Sequence, residues 1–501
     1  MENRPQWGTR AGFILAAVGS AVGLGNIWRF PATAYENGGG AFFLPYLFAL
    51  LTAGIPILIL EFTMGHKYRG SAPTTFSRIG KGTEWIGWWQ VAIPFVIATY
   101  YSVIIAWAIS FAGFSFNLSW GDDTSGFLFG EYLKLAEAPG QLGSIVPSVF
   151  IPLIFVWIIT LGVLIAGVKK GIEVANKIFI PTLVIMFLII VIRSVTLEGA
   201  VEGLNTFFKP DWSQIANGQV WVAAYGQIFF SLSIAFAIMI TYSSYLPKKS
   251  DITNNAFITG FSNSAFELLA GIGVFSALGF MAAQQGVPVD EVVSAGVGLA
   301  FVVFPEIINT LPAFNGLFGF LFFACLVLAG LSSLLSILET FVAGVQEKFN
   351  ISRTKSVLFG GGLASLVSIL YSTQGGLYFL DVVDYFINQF GVALAGLFEV
   401  IAIAWFAREL KNLQKHADDV SDIKLGAWWR ICLSIITPVV LGYMMFDNLR
   451  TNLTSEYGDY PREFIFNFGW TVAIGAILIG VLFSMKKNSN QTSISYDKEV
   501  S

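Results

Sequence analysis

Apolar stretches long enough to cross a bilayer recur along almost the whole chain, and they decide what it can fold into. A bilayer core needs about 20 mostly apolar residues per helix. On that rule the sequence predicts an all-α membrane protein with twelve transmembrane helices. The predicted spans cover roughly residues 11–34, 41–63, 86–114, 147–168, 172–194, 219–244, 254–283, 314–346, 356–373, 377–406, 427–448 and 464–485.

The composition agrees with a membrane protein and excludes several other classes. Hydrophobic residues make up 55% of the 501 positions and charged residues 12%, about half the quarter that is usual in soluble domains. A net charge of −4 without a basic patch predicts no nucleic-acid partner. Cys325 and Cys432 lie in apolar stretches, so we predict neither a disulfide framework nor a thiolate metal site.

The distribution of Lys and Arg predicts the orientation in the membrane. With the N-terminus inside, 22 of the 28 basic residues fall in inner loops and tails, and 5 fall outside. Basic residues accumulate in cytoplasmic loops. We therefore predict a multi-pass protein of the cell membrane whose N-terminal tail, residues 1–10, and C-terminal tail, residues 486–501, are both cytoplasmic.

Two spans are poor helices at mid-membrane depth. The first contains Gly19, Gly23 and Gly25, followed by Asn26 and Arg29. Glycine costs about 1 kcal/mol in a helix relative to alanine. Close helix packing explains small residues well, but it explains a buried amide and a charge poorly. We therefore predict a break in the first helix.

The sixth span has a matching polar irregularity about 210 residues later, at 227–236. The chain divides into a first five-helix repeat, 11–195, and a second, 219–406, with two further helices in 427–485. Because five is odd, the second repeat must be inverted relative to the first. Broken helices at equivalent points of inverted repeats are typical of secondary transporters.

Other polar groups also lie at membrane depth, and they predict a site for a hard cation. These groups are Glu61, Asn263, Glu267, Ser332 and Ser333. Asn263 and Glu267 are four residues apart and share a helix face. A buried carboxylate at Glu267 needs a proton, a partner or a cation. No His falls within a predicted span, so hydroxyl, amide and carbonyl oxygens are the predicted ligands rather than soft donors.

Several separated motifs resemble those of the neurotransmitter:sodium symporters, especially the bacterial amino-acid members. They are Trp-Gly-Thr-Arg at 7–10, the run from Gly19 to Pro31, Glu-Asn-Gly-Gly-Gly-Ala-Phe at 36–42, Gly-Gln-Ile-Phe-Phe-Ser-Leu-Ser at 226–233 and Ala-Gly-Leu-Ser-Ser at 329–333. The resemblance covers about residues 4–485. It implies a sodium-coupled symporter that imports a neutral, hydrophobic L-amino acid by alternating access, and not an enzyme.

The resemblance implies two Na⁺ sites built from neutral oxygens. The first would use the carbonyl of Ala21, the amides of Asn26 and Asn263, Ser231, and the carboxylate of the substrate. The second would use the carbonyls of Gly19, Val22 and Ala329 with the hydroxyls of Ser332 and Ser333. These two groups of residues are called the first and second oxygen sets below.

The resemblance also implies the substrate pocket. Tyr101 would donate its hydroxyl to a carboxylate that meets backbone amides near Ala21 and Gly25. Monoamine carriers of the family place Asp where this chain has Gly23, so the ligand here should bring its own carboxylate. Ala235 stands where a relative has glycine, which leaves the pocket volume open. The remaining implied lining residues are Ile97, Phe230, Ser231, Ser233, Phe236, Ser333 and Ile337.

Charge pairs are implied to form the gates. Arg29 with Asp384 would close the outer side, under a lid formed by Phe230. Arg4 with Glu347, near Tyr245, would close the inner side. In the fifth span, Gly171 and Pro181 have the spacing that accompanies unwinding in relatives, although a simple proline kink explains them equally well.

A last implication concerns chloride. Chloride-dependent members hold the anion with a Tyr, a Gln and two hydroxyl residues. Here Tyr46, Gln227 and Ser231 match three of these positions, and Glu267 occupies the fourth. We therefore expect Glu267 to substitute for chloride; the alternative is that it only bonds backbone or a neighbouring side chain. Transport would then be independent of chloride.

Rival classes fit the sequence less well. No G-x-x-x-x-G-K-[ST] motif appears, and the predicted cytoplasmic loops are too short for a nucleotide-binding domain. A channel needs a symmetric pore with rings of like groups, and this single-chain pattern does not show one. An intramembrane hydrolase needs a nucleophile with a partnered base, and the serines here have no His near them in any predicted span. The alternative that remains is a sensor of the same fold, which binds an amino acid with sodium but transports little.

Overall fold

The apolar stretches fold into helices. The computed structural model describes residues 5–486, and within this range no β-strand occurs, only the isolated bridges Gly39–Pro210 and Ile145–Thr373. The principal helices are α1 Arg10–Ala21, α2 Leu24–Glu36, α3 Gly40–Tyr68, α4 Ala72–Ile79, α5 Glu84–Phe114, α6 Pro147–Gly167, α7 Glu173–Val195, α8 Ala200–Phe208, α9 Gly218–Ser231, α10 Ile238–Ser244, α11 Ile252–Gln285, α12 Gly296–Thr310, α13 Asn315–Phe349, α14 Arg353–Ser372, α15 Gly376–Phe406, α16 Leu410–Val420, α17 Ala427–Thr454 and α18 Arg462–Met485.

Nine helical segments among residues 5–486 are long and apolar enough to cross a membrane, or ten when the bent pair α1 and α2 is counted as one span. One of the nine, Pro147–Val195, is 49 residues long and contains α6 and α7. Gly167 has φ of 90° between them, a backbone conformation that interrupts an α-helix. The protein is therefore an all-helical, multi-pass membrane protein, and the count of twelve spans stays a prediction.

The first predicted break lies between α1 and α2. The two helices are bent by 53°. Val22 and Gly23 between them have extended backbone, with φ of −76° and −118°. Thr9 caps the start of α1 by accepting a hydrogen bond from the Gly12 amide at 3.0 Å. The glycine-rich sequence therefore interrupts the helix where its backbone cost is highest.

A second interruption separates α9 from α10. Ser233, Ala235 and Ala237 all have φ between 53° and 63°, in the left-handed region. That conformation costs L-residues roughly 1–2 kcal/mol each. Three such residues within five positions end α9 and restart the chain as α10. Neither proline nor glycine is present in this segment, so surrounding contacts must hold it open.

Burial divides the helices into an inner and an outer group. In α5, α11 and α13, 78% of an 18-residue apolar stretch is buried inside the protein, against 22% of the corresponding stretch in α18. The inner helices pack against α1, α7 and α10 around the two interruptions. The outer helices present large apolar side chains such as Ile185, Leu366 and Leu482 at their surface. Lipid is the solvent that suits such a surface.

One end of the bundle is closed by packed side chains. Trp7 is buried, and its indole N–H donates to the Tyr242 carbonyl at 2.8 Å. The Tyr245 hydroxyl donates to Glu339 at 2.9 Å, and Arg353 forms an ion pair with the same carboxylate at 2.5 Å. We call this end the N-terminal face. The loop between α17 and α18 lies at the opposite face.

Close packing of α3 against α10 gives a stability test. A Cβ at Gly65 would collide with the Ile240 carbonyl, which is backbone and has no other rotamer. Gly65→Ala should lower the free energy of unfolding by about 1–3 kcal/mol, the usual cost of overpacking. Gly162→Ala in α6 is the control, because no heavy atom lies within 4 Å of its added Cβ. Thermal unfolding in detergent measures both, and equal midpoints for the two variants would contradict the packing argument.

Candidate substrate and ion site

The two helix interruptions face each other in the middle of the bundle. The Ser233 hydroxyl donates to the Ser20 carbonyl at the end of α1, at 2.9 Å. At the start of α2, the Leu24 amide donates to the Tyr101 hydroxyl at 3.3 Å. The ends of an interrupted helix leave backbone groups without helical partners. Here those groups meet one another and side chains of α5.

A cavity of about 680 Å³ lies beside the interruptions. This volume is within the range of about 300–1,000 Å³ that is typical of small-molecule sites. All ten residues that the resemblance implies for the substrate line it. They are Ala21, Gly25, Ile97, Tyr101, Phe230, Ser231, Ser233, Phe236, Ser333 and Ile337. Most of these side chains are aliphatic or aromatic, and none carries a charge.

Tyr101 and Gly23 define the polar end of this cavity. A Cβ built on Gly23 would lie 3.2 Å from both the Tyr101 hydroxyl oxygen and the Ser333 hydroxyl oxygen. A longer side chain would therefore fill the space directly in front of the tyrosine. Because Gly23 has no side chain, this space stays available within reach of a hydroxyl and of the amides at the start of α2.

Residues of the first oxygen set are joined by hydrogen bonds. Asn26 Oδ1 accepts from the Gly23 amide at 2.9 Å, and Asn26 Nδ2 donates to Asn263 Oδ1 at 2.8 Å. Asn263 Nδ2 then donates to the Ser231 hydroxyl at 3.0 Å. All three side chains are buried, and Ala21 lines the cavity beside them. The structure thus brings α2, α9 and α11 together through amide and hydroxyl groups.

The second oxygen set lies between α1 and α13. The Ser332 hydroxyl donates to the Gly19 carbonyl at 2.6 Å and to the Ala329 carbonyl at 3.0 Å. The Ser333 hydroxyl is 3.4 Å from the same Gly19 carbonyl. Val22 is also buried, at the end of α1. These are neutral oxygens in a dry environment, the donor type that hard cations prefer.

Glu267 is fully buried and has three polar partners. Its carboxylate accepts hydrogen bonds from the Tyr46 hydroxyl and, at 2.6 Å, from Gln227 Nε2. Ser231 is a further hydrogen-bond partner. The Tyr46 hydroxyl also lies 2.8 Å from Ser264. Glu267 therefore contacts the three residues that match the chloride-binding positions of the family pattern.

Arg29 and Asp384 both line the cavity, but they form no ion pair within residues 5–486. The Arg29 guanidinium instead lies 4.6 Å from the centre of the Phe230 ring. Asp384 accepts from the Tyr100 hydroxyl at 2.6 Å and from Asn388 at 2.9 Å. The two members of the predicted outer gate are thus separated and held by other partners.

Of the predicted inner gate, Arg4 lies outside the described residues. Glu347 accepts from the Ser71 amide at 3.0 Å and from its hydroxyl at 2.7 Å. Tyr245 is buried in the N-terminal face described above. In the fifth span, Gly171 lies in the wide turn Val168–Ile172, and α7 continues through Pro181 without unwinding.

Sequence reasoning missed the part of the cavity nearest the opposite face. Tyr457 and Tyr460 come from the loop between α17 and α18 and line the cavity with Asp381. Both hydroxyls donate to Asp381, at 3.0 and 2.8 Å. Tyr457 also stacks on Tyr385, with ring centres 3.8 Å apart. A Tyr-Gly-Asp-Tyr loop carries no recognised motif, so no signal in the sequence placed it here.

Glu61 is a second residue whose role the sequence did not give. Its side chain is fully buried, and Oε1 accepts from the Ala235 amide at 2.7 Å. That amide belongs to the interruption between α9 and α10. A buried N–H without an acceptor costs about 1–3 kcal/mol. Glu61 therefore stabilises the interrupted backbone from the neighbouring helix α3.

Together, the interrupted helices, the cavity beside them and the buried neutral oxygens define a multi-pass membrane transporter. The chain belongs to the Sodium:neurotransmitter symporter family, whose profile matches residues 4–128 and 122–490. This confirms the resemblance drawn from the motifs.

Individual relatives agree with this assignment. A sodium-dependent transporter of Methanocaldococcus jannaschii is 41% identical over 484 residues, which cover 97% of this chain and 98% of the relative. The sodium-dependent dopamine transporter of Caenorhabditis elegans is 29% identical, over 96% of this chain and 85% of its own. The crystal structure of MhsT in complex with L-phenylalanine superposes with a TM-score of 0.76 at 34% identity, covering 89% of this chain and 99% of that one. The relatives are transporters and not enzymes, and they support sodium-coupled transport.

The contact between Glu61 and Ala235 can be tested by substitution. Glu61→Gln keeps an oxygen that can accept from the Ala235 amide, whereas Glu61→Leu has a similar volume without an acceptor. We expect the Leu variant to be less stable than the Gln variant by about 1–3 kcal/mol, because a buried amide loses its partner. Thermal unfolding of both purified variants measures the difference. Equal midpoints would show that Glu61 does not stabilise the interruption.

Proposed function

We propose that this protein imports a neutral, hydrophobic L-amino acid together with Na⁺ by alternating access. The observation that carries the proposal is that the ten residues implied for the substrate are all uncharged and mostly apolar, with the Tyr101 hydroxyl among them. The charged residues that also line the cavity, Arg29, Asp381 and Asp384, contact other side chains of the protein. Such a site excludes a charged side chain, which would be buried without a partner. It accepts an aliphatic or aromatic side chain by area burial alone.

The polar end supports an amino acid rather than a simple amine. The space in front of Tyr101 is bounded by Gly23, which brings no carboxylate, and the atoms nearest to a Cβ built there are the hydroxyls of Tyr101 and Ser333. A substrate carboxylate there would meet the Tyr101 hydroxyl and the amides near Ala21 and Gly25. Hydrogen bonds to a charged group contribute about 1.5–3 kcal/mol each. The L-phenylalanine bound to MhsT is a ligand of the proposed class.

We also propose two Na⁺ sites, one at each oxygen set. The residues fit the ion, because each set offers buried carbonyl, amide or hydroxyl oxygens on elements that the helix interruptions bring together. Asn26, Asn263 and Ser231 would hold the first ion with Ala21 and the substrate carboxylate. Ser332 and Ser333 would hold the second with Gly19, Val22 and Ala329. Bound Na⁺ would supply the positive charge that balances the carboxylate.

The proposed transport cycle follows from the difference between the two faces. Packed side chains around Trp7 and Glu339 close the N-terminal face, whereas the cavity extends toward the opposite face as far as Tyr457 and Tyr460. We propose that Arg29 and Asp384 approach each other when that side closes. Arg4 with Glu347, near Tyr245, would then separate on the N-terminal face. Arg29, Asp384 and Glu347 are all partly open to solvent. Pairs that water can reach contribute only about 0–1 kcal/mol, which suits a gate that must open.

The proposed topology has twelve spans. It counts α6 and α7 as two spans, α1 with α2 as one, and α9 with α10 as one. The five spans in 11–195 and the five in 219–406 would form inverted repeats with broken first and sixth helices, followed by two further helices in 427–485. The predominance of Lys and Arg in the loops of the N-terminal face favours the cytoplasm there. The tails 1–10 and 486–501 would both be cytoplasmic.

Transport is proposed to be independent of chloride. The Glu267 carboxylate contacts Tyr46, Gln227 and Ser231, the groups that would otherwise hold an anion. A fixed carboxylate there balances the buried cations without a separate ion, and an unbalanced buried charge is costly.

The second candidate is a sensor that binds amino acid with sodium and transports little. The closed N-terminal face is the observation that favours it, because binding alone needs no opening on that side. Counterflow of labelled amino acid in proteoliposomes separates the two, since a sensor exchanges nothing across the membrane. Exchange in the parent protein would exclude the sensor.

Sodium dependence can be tested at the first oxygen set. Replacing Na⁺ by choline should abolish uptake of neutral amino acids into proteoliposomes. Asn26→Ala should weaken Na⁺ and substrate binding together, each by about tenfold, because the substrate carboxylate completes the same site. Asn467→Ala, at an exposed position of α18, is the control and should bind like the parent. Uptake that continues in choline would overturn the proposed coupling.

The role of Glu267 can be tested in two salts. Parent uptake should be equal in chloride and in gluconate, whereas Glu267→Ser should require chloride, because the variant has lost its fixed negative charge. Glu202→Ser, at an exposed position of α8, controls for the loss of a carboxylate elsewhere. A Glu267→Ser variant with equal uptake in both salts would show that this carboxylate does not replace the anion.

A further inference from the structure

A buried oxygen without a partner lies next to the first helix interruption. Asn176 stands in the first turn of α7 and is 0% exposed. Its Nδ2 donates to the Ile172 carbonyl at 2.9 Å, while Oδ1 has no hydrogen-bond partner within residues 5–486. Rotating the side-chain amide by half a turn would place Oδ1 against the Ile172 carbonyl oxygen. The bond to Ile172 therefore fixes the direction in which Oδ1 points.

That oxygen points at the end of α1. A Cβ built on Gly19 would lie 2.5 Å from Asn176 Oδ1, so the glycine allows the amide to reach the α1 backbone. The Gly19 carbonyl belongs to the second oxygen set and accepts hydrogen bonds from Ser332 and Ser333. Asn176 thus offers one more neutral oxygen beside this set, contributed by a helix that supplies none of its members.

On the side of Asn176 nearer the N-terminal face, hydrogen bonds of Glu173 join the start of α7 to the segment before α1. We call these contacts the Glu173 clasp. Glu173 lies three residues earlier and therefore on the same face of α7. Its carboxylate accepts from the Gly8 amide at 2.6 Å, from the Thr9 hydroxyl at 2.8 Å and from Lys177 at 2.6 Å. These contacts attach the segment before α1 to the start of α7. Asn176 consequently lies between the second oxygen set and the N-terminal face.

We propose that Asn176 is a further sodium ligand, which the ion acquires when it leaves the second oxygen set toward the N-terminal face. An amide oxygen buried without a partner is unfavourable, and a passing cation removes that cost. The oxygen therefore lowers the barrier for the ion to leave its carbonyl and hydroxyl ligands. Opening of the Glu173 clasp would let water follow. This inference rests on the proposed second sodium site.

If Asn176 had only a structural role, removing its side-chain amide would lower the unfolding temperature of the protein. Asn176→Leu has a similar volume and removes the unpartnered oxygen together with one hydrogen bond. The loss of the hydrogen bond to the Ile172 carbonyl is offset by the removal of a buried oxygen that had no partner, so the variant should unfold at about the same temperature as the parent. Ser194→Ala is the matched control, since it removes another buried, unpartnered oxygen from the same helix.

Net uptake and exchange distinguish a role in sodium release from a role in binding. Net uptake requires Na⁺ to leave at the N-terminal face in every cycle, whereas exchange of labelled for unlabelled amino acid proceeds with Na⁺ present on both sides. In Asn176→Leu we expect net uptake to fall at least fivefold and exchange to change less than twofold. The Na⁺ concentration for half-maximal substrate binding should also change less than twofold. Ser194→Ala should match the parent in all three measurements.

Every other pattern overturns the inference. Unchanged net uptake would show that the oxygen is not used, and an equal fall in uptake and exchange would indicate a general defect in conformational change. A lower unfolding temperature would assign Asn176 a structural role. The proposed function is measured separately by the parent, whose substrate binding must require Na⁺. If the parent binds substrate equally in choline, the second sodium site itself is wrong.

Discussion

Everything in the centre of this protein depends on how two interrupted helices satisfy their free backbone groups away from water. A buried backbone group without a partner is expensive, so an interruption persists only where other elements supply donors and acceptors. Ser233 donates to the Ser20 carbonyl, and Glu61 accepts from the Ala235 amide. The partners come from the opposite interruption, from Glu61 of α3 for the second interruption and from Tyr101 of α5 for the first. The interruptions therefore leave backbone oxygens that an intact helix would keep for itself, and these are the oxygens that we propose for cations and substrate.

The same interactions explain how far the sequence predicted the structure. The first interruption could be predicted from Gly19, Gly23 and Asn26, because helix packing does not explain a buried amide among glycines. The second interruption has neither glycine nor proline, so only its correspondence with the first indicated it. Its left-handed residues, including Ala235, adopt a conformation that their own sequence disfavours. Local propensity could not give that result, because tertiary contacts stabilise it.

Contacts between distant segments were predicted only through the family pattern. Asn26 and Asn263 are 237 residues apart, and nothing in their local sequences pairs them. Tyr457 and Tyr460 show the limit of that pattern, because they reach the cavity from a loop without a motif. Asn176 was missed for a different reason. Its significance is the lack of a partner for one oxygen, which only the packing of α1 against α7 reveals.

The one-sided cavity has an electrical consequence. Where a wet passage reaches Asn26 from one face alone, little of the membrane potential falls along the passage, and most of it falls across the packed half between Ser332 and Trp7. An elementary charge that crosses the whole potential exchanges about 2.3 kcal/mol per 100 mV. An ion would thus gain little of that energy on entering the cavity from the open face, and most of it on leaving the site toward the N-terminal face. Most of the membrane potential would thus act on an ion while it crosses the closed half of the protein.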